Sequence, residues 1–256
     1  VKIIHEPHVY LVGRQAIDRD AIKQFLDDHD AEWQTDSEVG AEVLAEMAGR
    51  LCYMSFGKGR KTNAEYLGNI LRMQHGSVFE HAVWNFVFTG VSRSLTHELV
   101  RHRAGFGYSQ LSQRYVDESE TEFVEPDCIA SDPELHTVWE ESLRQSQEAY
   151  CRLVEGLTHK FASEESKTMR RKLARQAARS VLPNATETKI FITGNARAWR
   201  HFIELRANEH AETEIRNVAA RVAHILQRES PSMFGDYEFA ALEDGSEVAS
   251  TENRKI

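Results

Sequence analysis

Long apolar runs are missing from this 256-residue sequence. No stretch reaches the roughly 18 to 20 residues a bilayer-spanning helix needs, and no basic-then-apolar leader opens the chain. A soluble, cytoplasmic protein without a membrane partner is therefore expected. Cysteine is also scarce. Cys52, Cys128 and Cys151 are odd in number, far apart and form no C-x-x-C pair, which argues against a disulfide framework or a cysteine-rich zinc site and leaves buried or incidental thiols. Positive charge is not in excess either: 31 basic against 40 acidic residues give a net charge of −9, which opposes attraction to a polyanion, so no nucleic-acid partner is expected. An anionic ligand must meet a local basic cluster. No repeat and no linker interrupts the chain. Its length suits a single domain with a substantial core, taken as residues 1–242, followed by a polar tail at 243–256 expected to fray.

What is present reads as strands and helices. Val1-Lys2-Ile3-Ile4 and Val9-Tyr10-Leu11-Val12 are short strand candidates on either side of a His-Glu-Pro-His turn. Val39, Val43, Leu44, Met47 and Leu51 recur at helical spacing after Ser37, a suitable N-cap, and Asn63 to Met73 repeats the pattern. The aromatic and β-branched run Ala82 to Phe88 predicts a mostly buried strand, and Thr188 to Thr193 another. Further helices are expected from Ser92 to Arg103, from Leu135 to Leu182 with a break near Ser163 to Lys167, and from Ala196 to Arg228. Gly105, Gly107 and Pro231 supply stop signals. Glu118 to Asp132 reads as irregular.

Two segments imitate known motifs. His97-Glu98-Leu99-Val100-Arg101-His102 has the composition of a zinc-protease helix. Its histidines stand at i and i+5, about 140° apart on a helix, where the metal needs i and i+4, so no metal site is expected. Gly57-Lys58-Gly59-Arg60-Lys61-Thr62 opens like a dinucleotide fingerprint, but Thr62 replaces the third glycine and no predicted strand precedes it. A bound nucleotide cofactor would have to be held by side chains and helix ends.

Groups suited to phosphate and amide recognition concentrate at Arg101-His102-Arg103 and in the following segment through Tyr115. On the expected helix Arg101 and Arg103 lie about 200° apart and cannot grip one small anion together. They serve different ligands or subunits, or simply complement the helix dipole as a solvated basic end. In the C-terminal helix, Arg197 and His201 share one polar face at i and i+4, and Arg206 and His210 another. The interval from Arg197 to Arg206 places the two arginines on opposite sides. Trp199, Phe202, Ile203, Ile215, Val218, Val222, Ile225 and Leu226 supply its apolar packing. This is either an amphipathic helix with solvated charges or one that serves two ligands.

Arg-His-Arg, eight residues, then Ser112 within Gln110-Leu111-Ser112-Gln113-Arg114-Tyr115 resembles the signature of the flavin-dependent thymidylate synthases, the ThyX family, in which seven intervening residues are usual. Arg50 to Ser55, His75 to His81, Ala178 to Pro183, Gly194 to Phe202 and Leu205 to Ala211 resemble further segments of that family, in family order. The resemblance implies an α+β fold with a mostly antiparallel sheet packed with long helices, assembled as a homotetramer with active sites shared between subunits. It implies reductive methylation of dUMP to dTMP, with FAD as cofactor, NADPH as reductant and 5,10-methylenetetrahydrofolate as one-carbon donor.

By the same resemblance, flavin binding maps to Ser77, Arg101, His102, Arg103, Gln110, Asn195, Arg197 and His201. dUMP binding maps to Glu98, Arg101, Gln110, Ser112, Arg114, Arg179 and Arg206, with Arg114 and Arg179 toward the phosphate. His75 maps beside the folate ring, and by itself reads equally as a capping or core histidine. Arg206 is the catalytic candidate, because a fixed guanidinium beside uracil stabilises the charge that develops as N3 ionises. Alone it would read as a surface ion pair with Glu204 or Glu209. Ser112 lacks the His-Asp arrangement of a nucleophile and reads as a hydrogen-bond donor. No cysteine stands in the Pro-Cys-His context of the cysteine-dependent thymidylate synthases, so the flavin takes over from the thiol.

Two rival readings are a binding module without turnover and a nucleic-acid binder using Arg170-Arg171-Lys172 and Arg175. The presence of Arg206 argues against the first. The net charge of −9 and the lack of an aromatic-basic stripe argue against the second.

Overall fold

The computed structural model describes residues 1–254. In chain order it contains β1 (Lys2–Ile4), β2 (His8–Arg14), α1 (Arg19–Asp28), α2 (Gly40–Leu51), α3 (Asn63–Arg72), β3 (Val83–Ser92), α4 (Arg93–Leu99), β4 (Phe106–Gln110), β5 (Glu122–Val124) and α5 (Asp127–Ala130). It continues through α6 (Pro133–Lys160), α7 (Lys167–Ala178), β6 (Glu187–Asn195), α8 (Ala196–Arg206), α9 (Thr213–Glu229), α10 (Pro231–Phe234), β7 (Glu238–Ala241) and β8 (Glu247–Ser250). The class is α+β. An antiparallel sheet runs in the order β2-β3-β6-β4, β1 pairs with β5 in parallel, and β7 with β8 antiparallel. The chain forms two compact units: one takes Val1–His8, Phe88–Arg101 and Ser109–Phe191, the other Val9–Val87, His102–Tyr108 and the chain from Ile192 onward.

In the first unit α6 and α7 pack together through Leu143, Tyr150, Ala174 and Ala178, all buried. Asp132 caps α6 by accepting from the Glu134 and Leu135 amides, and Pro133 fits the first turn, where no amide partner is needed. In the second unit α9 buries Ile215, Val218, Ala219, Val222, Ala223 and Leu226, the stripe expected of a core-facing helix. Phe86, Phe106, Trp199 and Phe202 form an edge-to-face cluster, with ring centroids 4.9 Å apart for Phe86–Trp199 and 4.8 Å for Phe106–Trp199.

Several boundaries differ from the sequence pattern for local reasons. Ser37 does not cap α2; its hydroxyl accepts from the Val39 amide and donates to Glu42, while the helix begins at Gly40. The segment Glu118 to Asp132 holds β5 and α5. α4 stops at Leu99, short of Arg103, because burying the His102 ring against Phe106 and Phe202 takes the chain out of the helix. The helical angle between Arg101 and Arg103 therefore does not apply. The expected helix from Ala196 to Arg228 is two helices. Between them the Asn208 side chain accepts from the His210 amide, and buried Arg216 donates to the carbonyls of Glu209 and Ala211. His210 thus lies in a turn and shares no helical face with Arg206. The three cysteines are exposed rather than buried.

The described part of the polar tail, residues 243–254, is structured rather than frayed. Asp244-Gly245 makes the turn of a hairpin, with Gly245 at φ +80°, and β8 pairs with β7. Arg200, 1% exposed, donates to both carboxylate oxygens of Asp236 at 2.7 and 2.8 Å and to the carbonyls of Met233 and Asn253. Burial alone would push the Asp236 carboxyl up. Bonding and charge from Arg200, with Thr251 and Asn253, overcome this and hold it below the usual range. A depressed carboxyl adds stability above its unfolded pKa of about 3.9, lost as pH falls through the folded value. Acidification below about pH 4 should accordingly raise hydrogen exchange at the hairpin amides. Unchanged protection at about pH 2 would contradict this coupling.

Candidate functional site

The second unit carries a pocket of about 360 Å³ lined by Gly49, Cys52, Tyr53, His75, Ser77 and Arg197, among others. Arg50, buried at the end of α2, follows the lining residue Gly49 in the chain. It pairs with Glu46 at 2.7 Å, lies over the Tyr66 ring and donates to the carbonyls of Ser55, Lys58 and Arg60, which holds the chain after Tyr53 in place. On the other side Arg197, on the first turn of α8, meets Glu80 at 2.6 Å. His75 and Ser77 are exposed at the start of a short helical turn, Gly76–His81.

Arg206 ends α8, and its Nε donates to His102 Nε2 at 3.0 Å. The His102 ring is 5.9 Å from that of His201 and 5.4 Å from that of Phe202. Tyr108 donates its hydroxyl to the His102 carbonyl at 2.6 Å, and burial pushes that phenol up. The aromatic cluster thus supports the histidine on which Arg206 rests. Asn195 caps α8 by accepting from the Ala198 amide, and Arg103 is exposed before β4. Gly105 needs to be glycine: its φ is +75° and a Cβ would lie 2.8 Å from Ala198 Cβ. At Gly194 a Cβ would lie 2.6 Å from Phe106 and 2.7 Å from Trp199. Gly194→Ala is therefore expected to cost about 1–3 kcal/mol, lowering Tm by roughly 3 to 10 °C; an unchanged melting curve would show that the cluster yields freely.

The first unit holds the other candidates. Gln110 donates its amide nitrogen to Thr96 at 3.1 Å and Thr188 at 3.2 Å. Ser112 Oγ accepts from the Arg114 amide, and the Glu98 carbonyl accepts from the amide of exposed Arg101. Arg93 is not in the motif set, yet the fold brings it to Arg179. Its amide donates to the Thr186 carbonyl and that of Ser94 to the Asn184 carbonyl, which ties the start of α4 to the turn after Arg179. Burial lowers the Arg93 pKa; Glu118 opposes this, and the like charge of Arg179 adds to the lowering. Among the described residues, Arg93 Nη1 and Arg114 Nε are buried without a hydrogen-bond partner. Arg93, with an unused donor and the like charge of Arg179 beside it, suits an anion. Ser92-Arg93-Ser94 carries no motif of its own in sequence.

One unit thus brings Arg93 and Arg179 together, an arrangement that suits an anion. The other offers a ring-sized pocket and a buried histidine bonded to a half-buried arginine, features of an α+β protein that handles nucleotides. The family described as thymidylate synthase complementing protein matches residues 35–232. A flavin-dependent thymidylate synthase of Mycolicibacterium gilvum is 52% identical over 225 residues, 87% of this chain and 89% of the relative. Proteins of the same name from Mycobacterium avium and Mycolicibacterium vanbaalenii are each 50% identical, over 230 and 225 residues, covering 89% and 87% of this chain and 91% and 89% of their own. The chain belongs to the flavin-dependent thymidylate synthase family.

Proposed function

We propose that this chain converts dUMP to dTMP, with FAD as cofactor, NADPH as reductant and 5,10-methylenetetrahydrofolate as one-carbon donor, and without a cysteine nucleophile. The observation that carries this reading is the Arg206–His102 bond of 3.0 Å. It joins the arginine expected to activate the pyrimidine to the middle of the Arg-His-Arg motif. His102 must present a lone pair at Nε2 to accept it, and the bond fixes the guanidinium plane. A guanidinium so held stabilises negative charge on uracil as N3 ionises and C5 becomes nucleophilic, without reorganising during the reaction.

Arg93, Arg114 and Arg179 take the phosphate of dUMP, while Glu98, Arg101, Gln110 and Ser112 orient its ring and sugar. The Thr96 and Thr188 bonds fix the Gln110 amide for that purpose. The pocket lined by Tyr53, His75, Ser77 and Arg197 suits a flavin ring and its neighbours: an exposed aromatic face for stacking and polar groups for the edges. Ser77, Arg101, His102, Arg103, Gln110, Asn195, Arg197 and His201 are the residues that would hold FAD, with His75 beside the folate ring. A flavin bound here supplies the redox chemistry of the reaction. A homotetramer with shared sites belongs to the same proposal, consistent with Arg197 and Arg206 at opposite ends and sides of α8.

The test is chromatographic detection of dTMP from dUMP, NADPH and methylenetetrahydrofolate. Product is expected only from flavin-loaded protein and only with all three present. Flavin-loaded protein that oxidises NADPH but forms no dTMP would contradict the proposal.

A further inference from the structure

Arg206 stands on the last turn of α8, where helices fray unless the final carbonyls find partners. Here the chain that follows is tied down. The Ala207 carbonyl accepts from the Ala249 amide of β8 at 2.9 Å. Arg216, 4% exposed, donates to the carbonyls of Glu209 at 2.9 Å and Ala211 at 3.4 Å, and to Thr213 Oγ1 at 3.2 Å. The same guanidinium is ion-paired with Asp244 in the turn of the β7–β8 hairpin. Asp244 in turn accepts from the backbone amide and hydroxyl of Ser246. At the middle of α8, Arg200 is locked to Asp236 and to the carbonyls of Met233 and Asn253. The helix is thus held from the C-terminal segment at its centre and just past its end, with Arg206 between.

A two-stranded hairpin has little stability of its own, so this one exists because it docks: on α9, where the His224 ring stacks on Phe239 and bonds Glu247, and at the end of α8, which Ala249 reaches directly and Asp244 through Arg216. The family match ends at residue 232, before the hairpin begins. We propose that the C-terminal hairpin is a positioning element for Arg206, with Ala249 and Asp244 as positioning residues that set the last turn of α8. This rests on the reading of Arg206 as the group that activates the pyrimidine. Neither Ala249 nor Asp244 touches substrate; each acts through the loop after Arg206. Loss of either lets that turn fray, and a displacement of about 1 Å at a reacting centre costs on the order of 10²-fold in rate.

The experiment compares Ala249→Pro, Asp244→Ala, Asp244→Glu and Arg206→Ala, scoring dTMP turnover per bound flavin together with NADPH oxidation in the absence of dUMP. The Ala249 amide points out of the hairpin ladder to Ala207, so proline there removes that one bond and leaves β7–β8 pairing intact. Ala249→Pro and Asp244→Ala are expected to lower turnover per flavin by about 10- to 100-fold with dUMP-independent NADPH oxidation unchanged. Asp244→Glu should restore most of the loss. A merely structural hairpin would reduce flavin-loaded protein and leave turnover per flavin at the wild-type value, which overturns the proposal. Should Ala249→Pro fail to fold, Asp244→Ala and its rescue decide. An inactive Arg206→Ala beside wild-type hairpin variants removes the hairpin's role alone, whereas an active Arg206→Ala removes the reading on which it rests.

Discussion

Arg206→Ala is expected to keep its fold and its flavin and to lose dTMP formation by about 10²- to 10³-fold or more. The loss falls on turnover because the guanidinium is argued to act on charge that develops during the reaction, not on ground-state binding. Its plane is set by the bond to His102 at 3.0 Å, and the ring is set by Phe106 and Phe202. Lysine should not rescue it, since a flexible point charge cannot hold the histidine and a developing oxyanion in one plane. Removing Arg206 also leaves a buried acceptor on His102, a local cost of about 1–3 kcal/mol that calorimetry would register without global unfolding. Wild-type turnover per bound flavin in the alanine variant would refute the role.

Arg93→Ala is expected to raise the KM for dUMP by about 10- to 100-fold, the loss of one charge-assisted bond to phosphate, with a smaller effect on kcat. Arg93 keeps a buried Nη1 without a partner among the described residues and sits under the like charge of Arg179. Such a group is costly unless an anion arrives, and Glu118, itself pushed up by burial, offsets it only in part. Deoxyuridine, which lacks the phosphate, discriminates the cause. Its weak turnover should be nearly indifferent to Arg93→Ala, whereas equal losses with both substrates would mean that Arg93 supports the fold rather than the phosphate.

Much of the fold was legible because the apolar period is strong where an element is buried on one side. β3, with Trp84, Phe86 and Phe88 at alternate positions, and α9, with its stripe from Ile215 to Leu226, follow their patterns closely. The errors lie where a long-range contact outweighs local propensity. Nothing near His102 announces that its ring will be buried by Phe202, a hundred residues on, yet that burial ends α4 early. The break after Arg206 depends on Arg216 reaching back for loop carbonyls, and helix propensity alone ran through it. The tail carries a hairpin that its polarity masks. Asp244-Gly245 is a strong hairpin signal, although Glu243, Ser246 and Glu247 around it make the segment polar overall.

The candidate site divides similarly. The motif positions around Arg-His-Arg carry their own chemistry and could be picked out in sequence, as could Arg197 and Arg206. Arg93 could not, because its significance arises only when the Pro183–Thr186 turn is bonded to the start of α4. Cys52 gains importance in the same way: it lines the pocket shared by His75, Ser77 and Arg197. A thiol so placed makes the absence of a cysteine nucleophile a claim that needs a direct test.

That test is tritium release from dUMP labelled at C5, supplied with FAD, NADPH and methylenetetrahydrofolate, by a variant with Cys52, Cys128 and Cys151 all changed to alanine. Release dependent on flavin and reductant, at a rate near that of the unaltered protein, is the predicted result. No release from a folded, flavin-loaded variant, beside release from the unaltered protein, would mean that a cysteine is required and would contradict the proposed chemistry.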